Sequence, residues 1–354
     1  MDEKRQFLLF LSMFDLSYQK CKQIVDKMDK ELSLKKFIKT DFKDILQDDV
    51  HKNMLDKANP KIIENFVSDL ENHDIIVVTH GDSYYPKKLL ELPDYPYYLF
   101  CMGDLNLFNS TAIAIVGTRK PSNYGRVVTG KFARELAKNG VTIISGLAYG
   151  IDSISHKECL DVNGKTIAVL GSGFNNIYPA SHYALARQIA KDGLLLSEYL
   201  PNKNATKYSF PQRNRIIAGL SDGVLITEAG IKSGTVHTRD FALDYGKNLY
   251  AVPGNIDNYT SELPNEIIKC GQAQCVTEPN DILLDLNIEK KQQKTLQLSI
   301  DEQAIINLLN DGMKDEEYLV KNCNLPMNVF NICLTKLEIR GIINRLPGGY
   351  IALS

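Results

Sequence analysis

A doubly wound α/β fold, preceded by a small helical segment and followed by a helical module with a β wing, is predicted by three observations in this 354-residue sequence. Short, almost wholly apolar runs ("AIAIV", "TIIS", "IAVL", "VLIT") recur between amphipathic stretches, as parallel strands covered on both faces require. Each run leads into a glycine turn and then a helical pattern, giving repeated strand–turn–helix units. Both ends of the chain show helical spacing without strand alternation.

The elements follow in order. In the first 72 residues, Leu8, Leu11, Leu16 and Ile24 sit among polar positions, and Pro60 opens a second pattern carrying Ile62, Ile63, Phe66 and Leu70. A proline at a helix start and apolar residues three and four apart predict a helical domain over 1–72. The α/β domain spans 73–288, and its later strands are "LLLSEYL", "SDGVLITEAG" and "KNLYAVPG", with helices at "NRIIAGL" and "TVHTRDFALDYG". The polar run "EKKQQKTLQ" predicts a linker over 289–299. Over 300–354, three helical patterns and a hairpin around Pro347, Gly348 and Gly349 predict a winged-helix-like domain.

Composition excludes several classes. With 44% hydrophobic and 24% charged residues the chain is an ordinary globular one rather than disordered. The N-terminus has no signal-peptide pattern, and no run reaches the roughly 18 apolar residues a membrane span needs. Seven scattered cysteines predict reduced thiols and a cytoplasmic protein. Six histidines form no metal-ligand cluster, so no metal is expected. Net charge is only −2, but residues 111–255 hold 17 Lys+Arg against 10 Asp+Glu, a local +7 that leaves −9 for the rest. The basic middle predicts a phosphate or polyanion ligand there.

In an open parallel sheet such ligands sit beyond the carboxyl ends of the strands, where glycine turns and helix N-termini expose N–H groups. Gly117, Gly146, Gly171, Gly173 and Gly230 occupy those positions. The turns read G-T-R-K-P-S and G-S-G-F-N-N, the latter with Asn176 in place of a third glycine, so a dinucleotide is not expected, and no P-loop is present. No cofactor is predicted. Arg119 stands two residues after Gly117, while Lys207, Arg213 and Arg215 cluster around Asn214 beside Phe210 and Tyr208. Cations interleaved with aromatics are the ingredients of a single-stranded nucleic-acid site.

Blander roles stand beside these. Arg215 can brace its helix, Phe210 can be a core aromatic, and Tyr178 with Pro179 can shape a loop. Asp152 and His156, four apart, predict a hydrogen-bonded structural pair. Glu228 suits either a ribose or a helix start. No nucleophile has a base beside it, so no catalytic residue is predicted.

Taken together, "AIVGTRKPSNYG", "SGLAYGIDSISHKECL", "GSGFNNIYPASH", "LLLSEY", "SFPQRNRIIAGLSDGVLITEAGIKSGT" and "LYAVPG" resemble the DNA processing protein A family over most of the chain. The resemblance implies an extended Rossmann-like fold with a helical SAM-like domain before it and a winged helix after it. It implies a non-enzymatic homodimer that binds and protects incoming single-stranded DNA in natural transformation and loads RecA recombinase onto it. By motif position, Arg119 and Lys207 would contact the DNA backbone, with Phe210, Arg213, Asn214 and Arg215 beside them. Ser145, Gly146, Gly171, Ser172, Gly173, Ser233 and Gly234 would line the same pocket. The chain departs from the family at "TVHTRDFALDYG" and "ELPNEIIKCGQAQCV".

One enzymatic alternative stands beside this reading. "EAGIKSGT" is similar to the loop of nucleotide phosphoribohydrolases on a related fold, but Thr238 stands where their glutamate belongs. The winged-helix end carries five Lys+Arg against seven acids from Asp301 onward, so duplex reading is not predicted for it.

Overall fold

The computed structural model describes residues 2–29, 31–289, 298–310, 312–346 and 348–353. Packing divides the chain into two compact units, residues 1–290 and 291–354. The first contains strands β1 (Ile76–Thr79), β2 (Tyr98–Gly103), β3 (Ala112–Val116), β4 (Thr142–Ser145), β5 (Thr166–Leu170), β6 (Leu194–Ser197), β7 (Gly223–Ile226), β8 (Asn248–Ala251) and β9 (Gln274–Cys275). They form one sheet in the order β1-β2-β6-β5-β4-β3-β7-β8-β9. From β3 the chain moves outward through β4, β5 and β6 on one side, then returns to place β7, β8 and β9 on the other. The order therefore reverses between β3 and β7, where crossovers leave on opposite faces and open a crevice at the strand ends.

The apolar runs are strands because both faces are covered. Every residue of β3 and β5 is buried. On one face Phe132, Leu136 and Ile151, from the helices Asn123–Lys138 and Ile151–Leu160, pack on Ile113, Ile115 and Ile143. On the other, Ile216, Ile217 and Ala242, from the helices Ser209–Leu220 and Thr235–Asp244, pack on Ala114, Val116, Val224 and Ile226. The doubly wound expectation holds, with an addition: β2 pairs antiparallel with both β6 and β1, so the sheet is mixed at that edge.

The helical segment forms as expected but not as a separate body. Phe7, Phe10, Phe37 and Ile63 share one core cluster with Val77, Tyr98 and Phe100 of the sheet. The helical segment and the sheet thus pack as one unit that ends near residue 290, because β1 and β2 need the helices to cover their face.

The second unit has helices Ile300–Leu309, Glu316–Asn322 and Met327–Ile339 and a small antiparallel sheet of β10 (Lys314–Asp315), β11 (Ile343–Leu346) and β12 (Tyr350–Leu353), in the order β10-β12-β11. Ser299 caps the first helix reciprocally with Glu302, and Ile305, Phe330, Leu334, Leu337, Ile343 and Ile351 close the core. This is the winged-helix arrangement, with β10 added to the expected hairpin. Most of the expected linker, and Pro347 of the wing turn, lie outside the described residues. Among the described residues no helix is long and apolar enough to cross a membrane.

Candidate nucleic-acid interface

At the switch point lies a cavity of about 810 Å³. The turn after β3 supplies Gly117, Arg119 and Lys120, the helix Ser209–Leu220 and its approach supply Lys207, Phe210, Arg213 and Asn214, and the segment after β7 supplies Gly230, Ser233 and Gly234. Seven of the thirteen site residues expected from sequence therefore meet in one place: Arg119, Lys207, Phe210, Arg213, Asn214, Ser233 and Gly234.

Their roles differ. Arg119 and Lys207 are exposed and, among the described residues, neither is held in an ion pair. The Arg119 guanidinium stands 5.6 Å from the Phe210 ring centre, and Lys207 Nζ 4.9 Å from that of Tyr208. A cation over a ring face keeps its charge toward solvent and orients it without neutralising it. Arg213, by contrast, is only 5% exposed. It donates from Nη1 to the Gly146 carbonyl at 2.6 Å and also to that of Val169, tying together the ends of β4 and β5. Burial pulls its pKa down to about 10, with Asp152 opposing, which leaves the guanidinium charged at neutral pH. It contributes a fixed positive charge to the cavity wall.

Arg215 corrects the sequence expectation. The helix begins at Ser209, five residues before "NRIIAGL", so both arginines are inside it. Residues two apart on a helix face away from each other. Arg215 thus points from the cavity into the protein: 4% exposed, it grips the Glu198 carboxylate from Nη2 at 2.6 and 2.5 Å and donates to the Asp94 carbonyl at 2.8 Å. Tyr18 of the helical segment covers it, 5.5 Å from guanidinium carbon to ring centre.

Five further residues stand behind the cavity rather than lining it. Ser145 Oγ donates to the Ile115 carbonyl at 2.7 Å, and the Ser172 carbonyl accepts from Ser197 Oγ at 2.7 Å. The Gly173 amide donates to the Lys203 carbonyl at 2.8 Å. Gly146 lies under Arg213, and Gly171 under Phe210, where a Cβ would come within 2.9 Å of the ring. Gly171→Ala therefore displaces the ring while the buried core stays intact. We expect it to weaken nucleic-acid affinity severalfold with little change in thermal midpoint, as a titration and a melting curve of the same preparation would show.

Two other expectations resolve. Asp152 and His156 do not bond each other: Asp152 accepts from the amides of Gly146 at 3.1 Å and Ala148 at 3.4 Å, while His156 Nδ1 lies 2.6 Å from Thr166 Oγ1. Glu228 is the helix-start acid, accepting from Ser122 N at 2.9 Å and Ser122 Oγ at 2.5 Å, and Ser122 caps the helix Asn123–Lys138. Burial lowers the His156 pKa to about 3. The unfolded chain then takes up a proton near pH 6.5 that the folded one refuses, so this group costs stability as pH falls below about 6.5. Buried Asp152, its pKa raised mainly by burial, acts with the opposite sign. His156→Asn is accordingly expected to flatten the fall in urea midpoint from pH 7 to about pH 5 relative to the unmodified chain.

Beyond Gly234 the cavity wall was not anticipated. Thr235, His237, Thr238, Tyr259 and Thr260 all line it. His237 and Thr238 fall one turn into the helix after Gly234, a position that helical counting from that glycine identifies. Tyr259 and Thr260 come from a 3₁₀ turn some thirty residues from Gly230, and no local pattern connects them.

Comparison with known proteins follows the same outline. Residues 76–287 match the family model of the DNA recombination-mediator protein A, and residues 289–349 that of the DprA winged helix domain. The chain is 38% identical over 307 residues to protein Smf of Escherichia coli, covering 83% of this chain and 81% of that protein. The X-ray structure of DNA processing protein A from Streptococcus pneumoniae superposes with a TM-score of 0.64 at 32% identity, covering 80% of this chain and 98% of that one. DNA processing protein A from Helicobacter pylori, whose structure concerns its single-stranded DNA binding mode, gives 0.55 at 36% identity over 60% of this chain and 95% of that one. With matches spanning both the α/β sheet and the winged helix, the chain belongs to the DNA processing protein A family.

Proposed function

We propose that this protein binds single-stranded DNA at the switch-point cavity, protects DNA that enters the cell in natural transformation, and loads RecA onto it. It acts in the cytoplasm as a homodimer, without a cofactor and without catalysing a reaction. The observation that carries this reading is the meeting of two exposed cations, Arg119 and Lys207, that form no ion pair among the described residues, with the Phe210 ring at one cavity mouth. Cations take successive phosphates, and a ring stacks a base that a duplex would keep inside its own helix. The relationship to the Helicobacter pylori protein supports the same ligand.

The phosphoribohydrolase alternative finds no support at the wall. Thr238 occupies the glutamate position, and the one carboxylate among the lining residues, Asp152, accepts from two backbone amides beneath Arg213. The net negative winged helix suits a protein contact better than a DNA groove.

Fluorescence anisotropy with a labelled single strand, its duplex and a mononucleotide across a salt series tests the binding. Single-strand preference with log affinity falling linearly in log salt supports it; equal affinity for all three, or none, overturns it. RecA filament growth on DNA already coated with single-strand-binding protein tests the loading step.

A further inference from the structure

Exposed tyrosines stand beside the cavity. Tyr149 follows β4, Tyr178 follows β5 and Tyr208 follows β6, and each is between 46% and 67% exposed. A single exposed tyrosine needs no explanation. These lie in the segments that follow strands that are neighbours in the sheet, on the edge where the cavity opens. The Tyr178 ring centre is 5.4 Å from that of Phe210, tilted by 51°, so it is in contact with a ring already in the cavity wall. Tyr149 directly follows Ala148, another lining residue.

The Tyr149 ring is also held in place. Tyr149 meets the His182 ring edge-on at 5.0 Å, and its hydroxyl accepts from Ser181 Oγ at 3.1 Å. His182 in turn donates from Nδ1 to the Leu147 carbonyl at 2.9 Å. Charge favours the same ligand: Arg119 and Lys207 stand over rings of this group, and the nearby Glu198 carboxylate is occupied by Arg215.

We propose that single-stranded nucleic acid leaves the cavity along Phe210, Tyr178 and Tyr149, its bases stacking on these rings, so that the bound footprint exceeds what the cavity alone can hold. This rests on the single-strand reading of the cavity. Stacking accepts any base, so the path adds affinity without sequence preference.

The test compares a short oligonucleotide of about 3 nucleotides with one of about 20, using the full chain. Tyr178→Ala and Tyr149→Ala are surface truncations and are expected to lower affinity for the long strand about five- to twentyfold while leaving the short one within about twofold. Tyr178→Phe keeps the ring and is expected to keep full affinity. If both lengths weaken equally, the tyrosines merely shape the cavity and the path is wrong. If neither weakens while Arg119→Glu still abolishes binding, the path is wrong and the cavity reading stands. If Arg119→Glu also binds normally, the cavity reading falls and takes the path with it.

Discussion

Replacing Arg119 and Lys207 together by glutamate is expected to lower single-strand affinity by about 100- to 1000-fold at moderate salt, without unfolding the protein. A hydrogen bond to a charged group contributes roughly 1.5 to 3 kcal/mol, and reversal adds repulsion between the new carboxylates and the phosphates. Two lost phosphate contacts should also reduce the slope of log affinity against log salt by about 1.4, since each contact on a single strand contributes about 0.7. Both side chains are exposed and, among the described residues, no ion pair depends on them, so the thermal midpoint should stay where it is. Arg119→Lys separates geometry from charge: a point charge replaces a planar fork, and recovery should be incomplete. Unchanged affinity in the double reversal would remove the cavity from the mechanism.

Arg215→Ala is expected to do the reverse, destabilising the protein by about 3 to 5 kcal/mol while acting on no ligand directly. That range is typical when one member of a buried ion pair is deleted and its partner keeps an uncompensated charge. Here the orphan is Glu198, and the Asp94 carbonyl and the face of Tyr18 lose their contact too. Glu198→Ala should cost a similar amount, and the two losses should fall well short of adding, since they remove the same interaction. Urea denaturation of the single and double variants checks this. A stable Arg215→Ala that no longer binds DNA would mean that this arginine faces the ligand after all.

What the sequence disclosed, and what it hid, follows from the range of the forces involved. The apolar runs of β3, β4, β5 and β7 were legible because burial on both faces leaves a local signature. Edge strand β1 escaped assignment, because part of its cover comes from a helix more than sixty residues earlier, the one carrying Phe7 and Phe10. At the site, Arg119, Lys207 and Phe210 were legible from residue type beside a turn. Arg213 and Arg215 were not separable, since their difference depends on where the helix starts: beginning at Ser209 instead of Asn214 turns an apparently shared cluster into two faces. The Asp152–His156 pairing failed for a related reason, as backbone amides of the preceding turn satisfied the carboxylate first.

The helix Ser209–Leu220 sets Arg213 against the cavity and Arg215 against the interior. Its length is consequently far less tolerant of change than the loop that precedes it. One residue inserted after Asn214 would turn everything beyond it by about 100°, carrying Arg215 off Glu198 and Ile216 and Ile217 off the sheet. Natural or engineered length variation in this region should therefore be confined to residues 199–207, where an added residue lengthens the approach to the cavity without shifting that phase.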